Sequence, residues 1–254
     1  MKPVCLVIGA GAGIGGTVGR RFAREGYHAV LCRRSDADGL NTMVRTITDE
    51  GGAASGFLLN ATEPDSIEER VRAVEADIGP IEVAIYNLGA QIGDRKLQDT
   101  SLKAFETGWR LGTLGLFRLA QSVCPLMEAR GKGTILVTSS TASVRGNAGQ
   151  HSHAAAMGGR RMLCQTLNAQ FAPKGIHVVH IVIDGAVDAP DTLGKILGPE
   201  RFQELRNTRG NEHDGLILPE RVAETYLHLA RQHRSTWTHE IDIRSYSDRA
   251  WWNH

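Results

Sequence analysis

Cysteine is scarce and unpaired in this 254-residue chain: Cys5, Cys32, Cys124 and Cys164 lie far apart, with no two-residue spacing between any pair. Each falls in a segment that reads as buried strand or helix, so reduced core thiols and a cytoplasmic location are expected. An excess of one charge is also missing. The 29 basic and 28 acidic side chains leave a formal net charge of +1, which gives no long-range attraction to nucleic acid or an anionic membrane and favours a small-molecule partner. No run approaches the roughly 18 apolar residues of a membrane helix. The opening MKPVCLVIG reads as a strand entering glycines, without the apolar stretch and cleavage site of a secretory leader. No low-complexity tract, internal repeat or Pro/Ser linker divides the chain. Residues 1–254 are therefore expected as one domain, large enough to hold its core without disulfides.

What is present is alternation. Val4–Ile8, His28–Cys32, Gly56–Leu59, Val83–Tyr86, Thr134–Thr138 and His177–Ile183 have the length and β-branched content of strands. Between and after them, Ile14–Glu25, Asn41–Glu50, Pro64–Ile78, Thr100–Arg130, His153–Phe171 and Pro219–Arg231 read as helices. Such alternation predicts an α/β fold of three layers, with a mostly parallel sheet between helices and a ligand at the carboxyl ends of its strands. Residues 184–218, rich in glycine and charge, form the least regular region and are expected as a substrate loop.

GAGAGIGG, residues 9–16, follows the first strand directly. Two glycine frames fit it: Gly9, Gly13 and Gly15, or Gly11, Gly13 and Gly16. The first is preferred because it places a glycine at the tight turn where the strand ends, and leaves the others where backbone approaches a pyrophosphate at a helix N-terminus. About 20 residues further on, an NAD-binding chain usually carries an acid for the ribose 2′-hydroxyl. Here stand Arg33 and Arg34. A guanidinium fork matches a 2′-phosphate, so NADP(H) is expected over NAD(H), the alternative being that both arginines are solvated surface charge.

With these residues in view the chain resembles the short-chain dehydrogenase/reductase family over nearly its whole length. GAGAGIG, with Gly9, Gly11, Gly13, Ile14 and Gly15, fits the family's TGxxxGIG turn from Gly9, with Ile8 in the threonine place. Tyr86-Asn87-Leu88-Gly89 stands where the family has NNAG, and Asn60-Ala61-Thr62 resembles the Asp-Val-Thr that lies against adenine. GKGTILVTSSTASVRG resembles the strand that delivers the catalytic serine, which would be Ser140. HVVHIVIDGAV resembles the next strand and the Pro-Gly turn beneath the nicotinamide, here Asp184-Gly185. The resemblance implies a Rossmann-type doubly wound sheet, cofactor contacts at these positions, and dimers or tetramers built on the helices around Leu111–Met127 and His153–Phe171. It also implies carbonyl–alcohol chemistry.

The catalytic positions depart from the family. A tyrosine would follow the serine by thirteen places and a lysine would follow that by four; these places hold His153 and Met157. Aligning Gly115 and Phe117 with the family's N-x-x-G-x-F puts Gly112 where an asparagine stands. Reduction of a ketone needs a proton for the developing alkoxide and a donor to the carbonyl. Met157 supplies neither, since a thioether is at most a weak acceptor. Imidazole, with an ordinary pKa of about 6.5, is a competent acid or base without a lysine beside it, so His153 is expected as proton donor and Ser140 as oxyanion partner.

No metal set is expected. His151 and His153 would face one way only if locally extended, and no cysteine or second carboxylate completes a zinc site. His177 and His180, and His239-Glu240 near the last strand, read as packing residues. Arg160 and Arg161 are read as a subunit salt bridge or a solvated face. Trp237, Trp251 and Trp252 are read as packing, a pocket cover or an interface, and Asp184 and Asp188 as turn caps or a substitute acid. Ile92, Val144 and Leu193 are candidate lining for an apolar substrate. Three functions stay open: an atypical NADP(H) oxidoreductase, a nucleotide-binding or scaffold protein without turnover, and a non-redox lyase or isomerase using His153.

Overall fold

The structure, a computed structural model, describes residues 1–89, 96–210 and 212–253. Seven strands, β1 (Val4–Ile8), β2 (His28–Arg33), β3 (Ala53–Leu58), β4 (Ile81–Tyr86), β5 (Gly133–Ser140), β6 (Ile176–Ile183) and β7 (Glu240–Ile243), form one sheet in the order β3-β2-β1-β4-β5-β6-β7. All neighbours are parallel. Every residue of β1 is buried, as continuous apolar strands must be when helices cover both faces. The helices are α1 (Ile14–Arg24), α2 (Ala37–Asp49), α3 (Ser66–Asp77), α4 (Leu102–Trp109), α5 (Gly115–Arg130), α6 (His151–Phe171), α7 (Lys195–Leu197), α8 (Pro199–Arg209) and α9 (Pro219–Ala230).

Strand alternation divides the core in two. Leu6, Ile8, Ala84 and Val137 point to one side, where Ile67 of α3, Leu116 and Leu119 of α5 and Leu167 of α6 cover them. Val7, Leu31, Ile85 and Val179 point to the other, against Val18 and Phe22 of α1, Leu40 of α2 and Val222 and Tyr226 of α9. The result is the doubly wound three-layer α/β fold. Because β1 pairs with β2 on one side and β4 on the other, the chain order reverses there. That reversal opens a crevice at the carboxyl ends of the strands.

Three expectations need correction. The helix expected over Thr100–Arg130 is α4 and α5 joined by a wide π-type turn at Arg110–Leu114, where the buried Tyr86 hydroxyl donates to Leu111 O at 2.6 Å. The strand expected from Gly56 begins at Ala53, because the small residues Ala53–Ser55 pair in register with His28–Val30 of β2. Residues 184–218 are more regular than expected, holding a π-type turn at Pro190–Gly194 and the helices α7 and α8. Of α8 only Phe202 is buried, too little apolar content to show a helical period in the sequence.

Candidate functional site

The turn after β1 is fixed by close packing. Gly9 has φ +103°, and a Cβ there would lie 2.7 Å from Asn87 O; a side chain is excluded by conformation and by space. A Cβ on Gly15 would collide with the Gly9 carbonyl and stand 2.7 Å from Asn87 Nδ2. Asn87 itself ties three strand ends together: its Nδ2 donates to Gly9 O at 2.9 Å, and its Oδ1 accepts from Thr138 Oγ1 of β5 at 2.7 Å. Gly11 is different, with open space where its side chain would be, and it lines a cavity of about 560 Å³.

That cavity runs along the carboxyl edge of the sheet, from Arg33, Arg34 and Asn60 past the glycine turn to Ser140 and His153. Gly9, Gly13, Ile14, Gly15, Asn87 and Gly89 also line it. Gly185 does not: its Cα faces Asp248 and Ile217, and Ile183 and Val187 line the wall instead. Asn60 reaches the cavity, but its amide is engaged locally, accepting from Thr62 and donating to Glu63. Of the proposed apolar lining, Val144 and Leu193 lie off the cavity wall, and Ile92 falls outside the described residues.

The end of the cavity at Arg33 and Arg34 gathers N–H donors and cations. α1 starts at Gly13 without a side-chain cap, although the Gly16 N–H already donates to Gly11 O at 2.9 Å. Asp191 reaches the loop just before this helix. Its carboxylate accepts from the Ala12 N–H at 3.4 Å, beside Lys195 Nζ at 3.3 Å and Arg33 Nη2 at 3.5 Å. Burial pushes that carboxyl upward, yet Lys195, Ala12 and Arg33 together hold it below its ordinary range. Arg33 also pairs with Asp36 at 3.0 Å.

At the opposite end, Ser140 closes β5 and His153 lies in the first turn of α6. Their thirteen-residue separation brings Ser140 Oγ to 3.1 Å from His153 Nε2, with the donor set by the imidazole tautomer. Ser143 Oγ donates to Ser140 O at 2.7 Å and holds the strand exit. A donor pair on the wall of a nucleotide-sized cleft can grip a carbonyl oxygen and move a proton to it.

Residues 3–195 match the family model for short chain dehydrogenase. The chain belongs to that family. The short-chain reductase protein NovJ of Streptomyces niveus is 30% identical over 233 residues, 91% of this chain and 87% of that protein. The crystal structure of a short-chain dehydrogenase from Rhodopseudomonas palustris superposes with a TM-score of 0.80 at 30% identity, covering 96% of this chain and 99% of that one. An alcohol dehydrogenase from the archaeon Thermococcus sibiricus, complexed with 5-hydroxy-NADP, shares the fold with a TM-score of 0.81 at 23% identity over 98% of each chain.

Met157 and Gly112 pack beside the Ser140–His153 pair. Met157 is buried, its thioether accepting weakly from Ser139 Oγ at 3.9 Å. Gly112 lies in the π-type turn directly opposite. A Cβ there would stand 2.6 Å from Ala156 Cβ and 3.2 Å from Met157 Cε. Gly112 and Met157 thus pack together, with no room for a side chain at residue 112.

Arg160 overturns its expectation. It is 1% exposed, and its guanidinium donates to Gly112 O, Thr138 O and Leu88 O at 2.7, 2.5 and 2.8 Å. Arg161 pairs within the chain, its Nε and Nη2 donating to Glu240 at 2.6 and 2.8 Å. The signal for Arg160 was in the sequence: Ala156, Met157, Cys164 and Leu167 are buried at helical spacing around it.

The remaining candidates are structural. His177 stacks on Trp237 with ring centroids 4.7 Å apart, at the amino end of β6 and away from the cavity. His180, fully buried, meets Glu240 at 2.9 Å. Asp184 accepts from the Trp251 N–H at 2.9 Å and from Arg244, and Asp188 holds Arg206 at 2.7 Å. Arg244 in turn lies over the Trp252 ring. Among the described residues no group of three or more His, Cys, Asp or Glu is placed to hold a metal ion, and no helix is long and apolar enough to cross a membrane.

Proposed function

We propose that this chain is an NADP(H)-dependent oxidoreductase acting on a carbonyl or alcohol of a small molecule, with His153 standing in for the family's tyrosine. The observation that carries the reading is the Ser140–His153 pair, 3.1 Å apart, on the wall of the same cavity as the glycine turn and Arg33–Arg34. The residues present fit the dinucleotide. Gly11 leaves open space for a close backbone approach, the uncapped start of α1 and Lys195 meet a pyrophosphate, and Arg33 and Arg34 meet a 2′-phosphate.

When bound, the nicotinamide supplies or accepts the hydride. In the reducing direction Ser140 donates to the substrate oxygen as charge develops there. The imidazolium of His153 gives its Nε2 proton to that oxygen and is left as neutral imidazole. Residues 184–218, with α7 and α8, are placed to shape the substrate end. Phe117 on α5 and Met162 on α6 are exposed apolar side chains, which suits homodimers or homotetramers through those helices.

His153→Ala should lower turnover on a reducible carbonyl by about two to four orders of magnitude while leaving NADPH binding intact. Unchanged turnover removes His153 from the mechanism. Met157 and Gly112, which leave neither lysine nor asparagine, favour a second reading in which the nucleotide is bound without hydride transfer. Steady NADPH oxidation with any member of a broad carbonyl panel disposes of it, and a product of unchanged oxidation state points to lyase or isomerase chemistry.

A further inference from the structure

Most of the partly buried arginines in this molecule reach a carboxylate: Arg118 meets Glu68, Arg130 meets Glu75 and Arg161 meets Glu240. Arg160, the most deeply buried of these, meets none among the described residues. Its hydrogen bonds all run to main-chain carbonyls, those of Gly112, Thr138 and Leu88, with Leu111 O more distant at 3.4 Å. The Tyr86 ring lies 5.1 Å from its Cζ. Carbonyl dipoles and a ring face orient toward the charge without cancelling it.

This cation borders the nucleotide cavity. A guanidinium carries five N–H groups, and the four bonds above leave one on Nη1 without an acceptor among them. Long helical side chains lean toward the helix N-terminus, so Arg160 reaches back over the turn that carries Met157. The carbonyls it gathers belong to the end of β4, the π-type turn and the end of β5, two residues before Ser140. An uncompensated charge in the core is costly. That cost is offset where the ligand of the adjoining cavity is an anion with hydroxyl groups to bond.

We propose that Arg160 is the fixed cation of the nucleotide site, supplying from one turn further along α6 the positive charge that Met157 lacks. The arrangement depends on the neutrality of residue 157, because a second ammonium there would crowd the guanidinium. Gly112 completes it by leaving room for Met157, whose Cε would stand 3.2 Å from a Cβ there. The inference rests on the nucleotide-binding half of the function proposed above.

The test is a set of NADPH titrations, followed by nicotinamide fluorescence, on the full chain and on Arg160→Leu, Arg160→Lys, Met157→Lys and the double variant Met157→Lys/Arg160→Leu. Thermal midpoints are recorded for each. Arg160→Leu should weaken binding by about 10- to 100-fold, and Arg160→Lys by less than about tenfold. The double variant should recover most of the loss, because it returns a cation to the site from residue 157. A purely structural arginine would not be rescued from position 157. An unchanged dissociation constant in folded Arg160→Leu, or a double variant as weak as the single one, overturns the proposal.

Should the variants at residue 160 fail to fold, Met157→Lys alone decides. Weaker NADPH binding sustains the proposal, and equal or tighter binding overturns it. Wild-type protein that binds neither NADPH nor NADH overturns the functional reading along with it. Wild-type binding that ignores residue 160 overturns this inference alone.

Discussion

Two neighbouring arginines on α6 lead into opposite kinds of environment. Arg161 leaves the helix toward β7 and joins Glu240 and His180 in a cluster with balanced charge and partial solvent access. Arg160, about 100° further round the same helix, enters the space between β4, β5 and the π-type turn and finds only carbonyls. Opposite charge stabilises the first cluster in the ordinary way. The second holds a cation beside the cavity whose partners are main-chain carbonyls and no carboxylate among the described residues. On the proposal above, the cluster beside the cavity is shaped by the ligand it would bind, and the remote one by what it holds together.

The largest effect expected from breaking this contrast is at Arg160. Arg160→Leu leaves buried carbonyls without donors and should lower the unfolding free energy by about 3–5 kcal/mol in urea denaturation. A loss below about 1 kcal/mol would make the two arginines equivalent.

Acid should strike the other cluster. Burial, outweighing the attraction of Glu240, lowers the pKa of His180 from 6.5 to about 4. The native state therefore resists a proton that the unfolded chain accepts below pH 6.5. Stability is fully present above that value and declines as pH falls toward 4, by about 3 kcal/mol in all. Glu240, held low first by its hydrogen bond to Arg161, adds to the decline below its ordinary range. Denaturation curves at pH 7.5, 6 and 4.5 measure this, and His180→Phe should flatten the upper part of the profile.

Arg161→Ala should cost about 1 kcal/mol, since its pair with Glu240 is one-third exposed. Smallest of all, Met157→Leu keeps the volume and should change stability by well under about 1 kcal/mol with NADPH affinity unaltered. A tenfold loss of affinity there would give the thioether a role that the packing account denies it.

Much of the fold is legible in the sequence because its signals are local. Apolar runs such as VCLVI mark strands buried on both faces, and the demand for glycine at positions 9 and 15 comes from close contacts with Asn87 and with the turn's own backbone. The Ser140–His153 juxtaposition is legible through the family resemblance, which sets a catalytic pair thirteen residues apart. What escaped depends on tertiary context. An arginine read alone belongs on the surface, and only its register among Ala156, Met157, Cys164 and Leu167 places Arg160 inside. α8 escaped because Phe202 is its one buried residue. The π-type turn escaped because it is set by Tyr86 reaching Leu111 from another strand.

The central claim, that this cleft binds a 2′-phosphorylated nicotinamide dinucleotide, is tested most directly by titrating the wild-type chain with NADPH and then NADH at fixed ionic strength. The account predicts micromolar NADPH binding with a clear preference over NADH, reduced when Arg33 and Arg34 are both replaced by alanine. Binding of neither dinucleotide, or tighter binding of NADH, would contradict it.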